Sequence, residues 1–122
     1  MSGPKKPQKY RDIIDALVDV CQEGEGQIAA ERVREGVWHK WPNAENESLR
    51  EEHEINLLLK RLSAKDRKIL AKMLEQEVVT GVFETLKTLE EFEVPPFEDG
   101  YEGSPYNDFI GRLDDWKWPR KK

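Results

Sequence analysis

Residues 63–92 read SAKDRKILAKMLEQEVVTGVFETLKTLEEF, and this stretch decides the fold. Ile69, Leu70, Met73, Leu74, Glu77 and Val78 recur at three- and four-residue spacing, and Val82, Phe83, Leu86, Leu89 and Phe92 carry the stripe on. That period belongs to a helix with one buried face and is incompatible with a strand, whose side chains alternate every second residue. Ser63 with Asp66 three residues later supplies an N-cap signal. Gly81 costs about 1 kcal/mol against Ala in a helix interior, so the reading is one helix over 64–92, bent near Gly81. Val94-Pro95-Pro96 stops it, because proline has no N–H for the helical ladder.

Working back from Ser63, Leu49, Ile55, Leu58, Leu59 and Leu62 form the apolar stripe of a preceding helix. Ser48 and Glu51 have the capping-box spacing that starts it. Pro42–Glu47 is a loop. Before it, Ile28, Ala29, Val33 and Val37 suggest a shorter helix ending by Trp41-Pro42, and Tyr10, Ile13, Ile14, Leu17, Val18 and Cys21 define the first helix, ending near Gly24. Residues 1–8 hold Gly, Pro and Lys without periodicity and read as a flexible basic arm. Working forward, Ser104-Pro105 places an N-cap residue before Pro at the first helical position, and Tyr106, Phe109, Ile110 and Leu113 share a face of a short last helix. The expectation is an all-α fold in a single helical domain over 9–122. It is a compact bundle of four to five helices, with the long bent helix as its spine and an aromatic C-terminal segment packed on it.

Composition narrows the function. Of 122 residues, 37% are hydrophobic and 37% charged, with 20 Lys plus Arg against 25 Asp plus Glu and a net charge of −5. The mean hydropathy of −0.83 is low, yet four Trp, three Tyr and four Phe bring large buried area per residue. No apolar run approaches the roughly 18 residues of a membrane span, and the first residues lack a signal-peptide core. A cytoplasmic protein with no membrane role is expected. The lone Cys21 makes no internal disulfide and reads as a small buried hydrophobe. One Cys with His39 and His53 well apart gives no metal-ligand spacing. Gly24 and Gly26 lack the Lys-Ser/Thr of a phosphate loop. Cys21 sits on an apolar stripe that disfavours a thiolate nucleophile. The expectation is therefore a non-enzyme without cofactor or metal.

Two blocks, Ile55-Asn56-Leu57-Leu58-Leu59-Lys60-Arg61-Leu62 running into Arg67–Leu74, and Asp108-Phe109-Ile110-Gly111-Arg112-Leu113-Asp114-Asp115-Trp116-Lys117-Trp118-Pro119, give the chain its resemblance to a known group. With Gly81-Val82-Phe83 between them they cover roughly the second half. The chain resembles a family of small uncharacterised bacterial proteins, a domain of unknown function. The resemblance implies a mainly helical bacterial protein and carries no activity, ligand or catalytic residue.

Three surfaces are candidates for function. Asp108 and Arg112 stand four apart on the last helix, the spacing of an intrahelical ion pair, and Trp116 and Trp118 follow in an extended segment. These four residues are either the completion of a small core or a patch that recognises another protein, since Trp, Tyr and Arg dominate binding interfaces. Lys60, Arg61, Lys65, Arg67, Lys68 and Lys72 form a basic segment that a helix-turn-helix-like regulator could turn toward nucleic acid. Against that, residues 73–115 hold twelve acids and only Lys87 and Arg112 as cations, a field that repels phosphate. The acidic half is itself a surface for a basic partner or a solubilising face. A protein-interaction module is the leading reading, nucleic-acid binding the alternative. A homodimer that buries Trp38, Trp41 or Trp116 between copies is also expected to help a chain with few aliphatic residues.

Overall fold

A computed structural model of the protein describes residues 6–41 and 45–119. Among them the regular elements are helices: α1 (Gln8–Gln22), a short 3-10 turn (Glu25–Gln27), α2 (Ile28–Glu35), α3 (Glu47–Arg61), α4 (Ala64–Glu91) and α5 (Pro105–Leu113). The all-α expectation is met, and no helix among the described residues is long and apolar enough to cross a membrane. The described residues form two compact units, between which α4 is divided.

The second unit is continuous, Glu23–Val78. Ala30 and Val33 of α2, Leu59 of α3 and Ala71 of α4 form its core, with Trp38, Ile55, Leu62, Leu70 and Leu74 packed around them. The phase of α2 differs from the sequence reading. Ile28 and Val37 are exposed while Ala30 is fully buried; the helix stops at Gly36, so Val37 is not a helical residue at all. Gly36 adopts φ 82°, and its N–H and that of Val37 return to Arg32 and Val33 carbonyls, closing the helix in the left-handed geometry that glycine adopts without penalty. On α3 the phase shifts too. Leu58 is exposed and Asn56 is buried. Asn56 Oδ1 accepts from the Trp38 and His39 N–H groups at 2.6 and 3.2 Å, and its Nδ2 donates to the His39 carbonyl at 2.7 Å. One side chain thereby satisfies three backbone groups of the segment leaving α2. α3 starts one residue before Ser48; the capping role expected of the Ser48 side chain and the Pro42–Ala44 part of the expected loop fall outside the described residues.

The first unit joins α1 to α5 and to the half of α4 from Val79 onward. Its buried apolar residues are Tyr10, Ile14, Val18 and Cys21 on α1, Leu86 on α4, Phe97 in the following loop and Phe109 on α5. Phe83 of α4 meets Tyr106 of α5 with ring centroids 4.6 Å apart. α4 runs unbroken through Gly81, at which an added Cβ would meet nothing within 4 Å. Ser63 caps α4 as expected, its Oγ accepting the Asp66 N–H at 3.0 Å. Ser104, extended at φ −131°, ψ 151°, precedes Pro105 at the first turn of α5. Of the arm expected over 1–8, residues 1–5 lie outside the described residues. Gln8 is already in α1, and Lys6 is buried, its Nζ donating to the Pro96 carbonyl at 2.9 Å and pairing with Glu98 and Asp99.

Two substitutions on α4 should move stability in opposite directions. Ser63→Ala removes the cap and is expected to cost about 1 kcal/mol, whereas Gly81→Ala, with open space for its methyl, should add about 0.4–1 kcal/mol. Urea denaturation of the two variants checks both signs.

Candidate functional site

The residues singled out at the C-terminus converge with α1, and the centre of the cluster is Asp108. Its side chain is fully buried. The Tyr10 hydroxyl donates to Oδ2 at 2.5 Å, the Tyr101 N–H to the same oxygen at 2.8 Å, and the Glu102 N–H to Oδ1 at 2.9 Å. Such a group is tolerated inside only when its lone pairs are met by donors, as they are here. Gly100 makes the approach possible. A Cβ there would stand 2.7 Å from Asp108 Oδ2 and equally close to the Ser104 backbone. Tyr10 is also fully buried. Burial, the hydrogen bond to Asp108 and the nearby acidic charge hold its hydroxyl well above the usual phenol range, so it stays a donor. Burial likewise pushes the Cys21 thiol up, which suits a packing role and opposes a nucleophilic one.

Asp108 and Arg112 do not pair, although their spacing suggested it. Arg112 turns to α1, where Nε meets Asp15 Oδ1 at 2.7 Å, while Nη1 donates to the Trp116 carbonyl at 2.6 Å. After α5 the chain reverses at Asp115, φ 62°, and the Trp116 N–H returns to the Gly111 carbonyl at 2.9 Å. The reversal carries Trp118 onto α1. Its indole Nε1 donates to Asp15 Oδ2 at 3.0 Å, so one carboxylate holds both Arg112 and Trp118. The Trp118 ring lies edge-on to Trp116 at 5.1 Å, Tyr101 at 5.4 Å and Tyr10 at 6.1 Å. The guanidinium groups of Arg11 and Arg112 each sit 5.6 Å from it. Arg11 also donates twice to the Tyr101 hydroxyl, at 3.1 and 2.9 Å, and to the Pro119 carbonyl at 3.0 Å. Of the four residues read as one patch, Asp108 is enclosed and the other three are half-buried, with Arg112 and Trp118 engaged with α1 and Trp116 held against α5 and the Trp118 ring.

The basic segment has a different character. Arg67 is used internally, donating to the Leu62 carbonyl at 2.9 Å and the Arg34 carbonyl at 3.3 Å. Lys60, Arg61, Lys65, Lys68 and Lys72 are exposed. Between them stand apolar side chains that the periodicity had assigned to the core. Ile69 and Met73 on α4 are 53% and 56% exposed, and Leu58 on α3 is exposed as well, beside Leu57, which the stripe did not include. Sequence reasoning missed this face, since Leu70, Ala71 and Leu74 already satisfy the core and the stripe is wider than the core needs. Among the described residues no group of three or more His, Cys, Asp or Glu side chains could hold a metal ion.

A family model matches the sequence over residues 4–120. The chain belongs to DUF6547, a family of unknown function. The match extends through the first half, beyond the blocks on which the resemblance rested. No curated protein and no solved structure matches the chain.

The Tyr10–Asp108 contact sets two measurable outcomes. Tyr10→Phe deletes a donor from a buried carboxylate and is expected to cost about 1.5–3 kcal/mol in chemical denaturation. Because the phenol is raised above its unfolded value, its contribution is complete below about pH 10 and lost as pH rises past it. Stability of the parent should therefore fall on an alkaline limb that Tyr10→Phe flattens, in a Cys21→Ala background to remove the thiol's own titration. Gly100→Ala, in turn, should destabilise strongly, because its methyl displaces Asp108 or the Ser104 backbone; a Tm within about 1 °C of the parent would refute the close approach.

Proposed function

We propose that this chain is a non-enzymatic protein-binding module, bacterial and cytoplasmic as its sequence resemblance and composition imply, whose recognition face is the first half of α4 with the end of α3. The observation that carries the reading is the pair Ile69 and Met73, one turn apart and more than half exposed, bordered by Lys65, Lys68 and Lys72. An apolar centre with a charged rim is the make-up of a protein interface. The terminal aromatic cluster supports the same choice by elimination of a rival. Arg112 and Trp118 spend their polar contacts on α1, and Trp116 spends its ring contact on Trp118; a side chain so occupied must give those contacts up before it can bind anything else.

Nucleic-acid binding through the same segment is the second reading, favoured by its five exposed cations. It is weaker on two counts. Arg67 is committed to carbonyls of its own unit, and the apolar residues among the cations are aliphatic, without the rings on which bases stack.

Affinity capture from a lysate of the source cell type, with and without nuclease, tests the choice. Parent protein should retain a specific protein after nuclease treatment, and Ile69→Asp/Met73→Asp, verified as folded by circular dichroism, should lose it by at least about tenfold. Trp116→Ala/Trp118→Ala, if folded, should retain it. Equal capture by the parent and the Ile69/Met73 variant refutes the proposed face. Loss of every captured protein on nuclease treatment, with affinity falling steeply in salt, selects nucleic acid instead.

A further inference from the structure

The same molecule carries a second apolar and charged surface whose chemistry is the complement of the first. α4 ends in Glu90-Glu91, and Phe92-Glu93-Val94 follow. Phe92 is 79% exposed, and Val94, Glu91 and Glu93 are exposed too. The backbone fixes this display. Glu93 adopts φ 54°, in the left-handed region, and the Val94 N–H returns to the Leu89 carbonyl at 3.0 Å, so the chain turns away from the helix axis with Phe92 and Val94 outside. One surface is thus Lys65, Lys68 and Lys72 around Ile69 and Met73, and the other is Glu90, Glu91 and Glu93 around Phe92 and Val94.

We infer that the occupant of the Ile69/Met73 face is a second copy of this chain, which presents its 90–94 segment to it; the inference rests on the protein-binding reading of that face. Two independent arguments favour a second copy over an unrelated partner. The first is complementarity of charge and of apolar content, three cations to three acids and two aliphatic side chains to a phenyl ring and a valine. The second is the placement of charge on α4 itself. Its last turn holds Glu90 and Glu91 and no cation, and Lys65, Arg67 and Lys68 crowd its first turns with Asp66 as the acid there. The helix macrodipole favours the reverse distribution. A charge pattern that works against its own helix is compensated when antiparallel copies bring the acids of one beside the cations of the other. Two copies related by a twofold axis make the contact twice, so the pair closes and does not grow into a filament.

Sedimentation equilibrium of the full chain over about 1–500 µM tests the inference with two charge-reversed variants, Lys65→Glu/Lys68→Glu/Lys72→Glu and Glu90→Lys/Glu91→Lys/Glu93→Lys. Both reversals agree with the α4 dipole, so each monomer should fold, and circular dichroism checks this. The parent should dimerise. Each variant alone sets like charges against one another at both contacts and should associate at least about tenfold more weakly. An equimolar mixture restores opposite charges at both contacts and should recover parental affinity. Ile69→Asp/Met73→Asp and Phe92→Asp should each be monomeric. A parent that is monomeric throughout the range, or a mixture that associates no better than its components, overturns the inference. If nuclease-resistant capture still depends on Ile69 and Met73 in a monomeric parent, the protein-binding reading stands and only the second copy is excluded. If neither capture nor association depends on those residues, both are refuted.

Discussion

A buried carboxylate is the constraint on which one half of this protein is organised. Asp108 has no contact with solvent, so its oxygens must be met by donors from the protein, and the chain supplies them from three places: the Tyr10 hydroxyl on α1 and the Tyr101 and Glu102 N–H groups of the turn before α5. Each donor fixes something else. Tyr10 sets the rotation of α1 that buries Ile14, Val18 and Cys21. The two N–H groups hold the 100–103 turn, where the Gly100 N–H reaches the Gly103 carbonyl. Once that turn is held, Tyr101 can place its hydroxyl in reach of Arg11. A carboxyl group inside an apolar core is a cost in isolation, and here it acts as a specification, because only one mutual arrangement of α1 and α5 satisfies it.

The aromatic C-terminal segment extends the same logic to the surface of that unit. With few aliphatic residues available, α1 is covered by Trp118, Tyr101 and Phe97, whose rings meet at tilted and edge-on angles that suit their quadrupoles. The polar ends of these residues are not wasted. The Trp118 N–H goes to Asp15 and the Tyr101 hydroxyl accepts from Arg11, so a layer built largely of aromatics carries its own hydrogen bonding. Arg112 and Arg11 flank the Trp118 ring at 5.6 Å and tie the segment electrostatically as well.

How much of this was legible in the sequence depended on the range of the interaction. Local signals read well. Ser63 caps α4, Pro105 opens α5, the α1 stripe buries Tyr10, Ile14, Val18 and Cys21, and α4 continues through Gly81, because each of these is decided within a few residues of chain. Signals that needed a distant partner failed. The four-residue spacing of Asp108 and Arg112 suggested an ion pair, but the partners that win are Tyr10, 98 residues away, and Asp15, 97 residues away. Nothing in a polar residue at position 56 announces that it will bridge three backbone groups, and that burial rotates α3 so that Leu58 faces outward. The exposure of Ile69 and Met73 was hidden for the opposite reason, since an apolar stripe gives the hydrophobic positions of a helix without saying how many its own core will use.

The placement of α1 and α5 in one unit has a consequence for how the chain comes into being. Glu23–Val78 is a continuous segment, so its unit can close on itself while the remainder is still being synthesised. The other unit takes α1 from Gln8–Gln22 and its buried acceptor from position 108. Until α5 has left the ribosome, Tyr10, Ile14 and Val18 have no partner surface from that helix, and the nascent chain carries them exposed across a loop of nearly a hundred residues. Closing that loop is the long-range step of folding, slow by topology, so the continuous unit Glu23–Val78 has the shorter path to its contacts and the pairing of α1 with α5 the longer one.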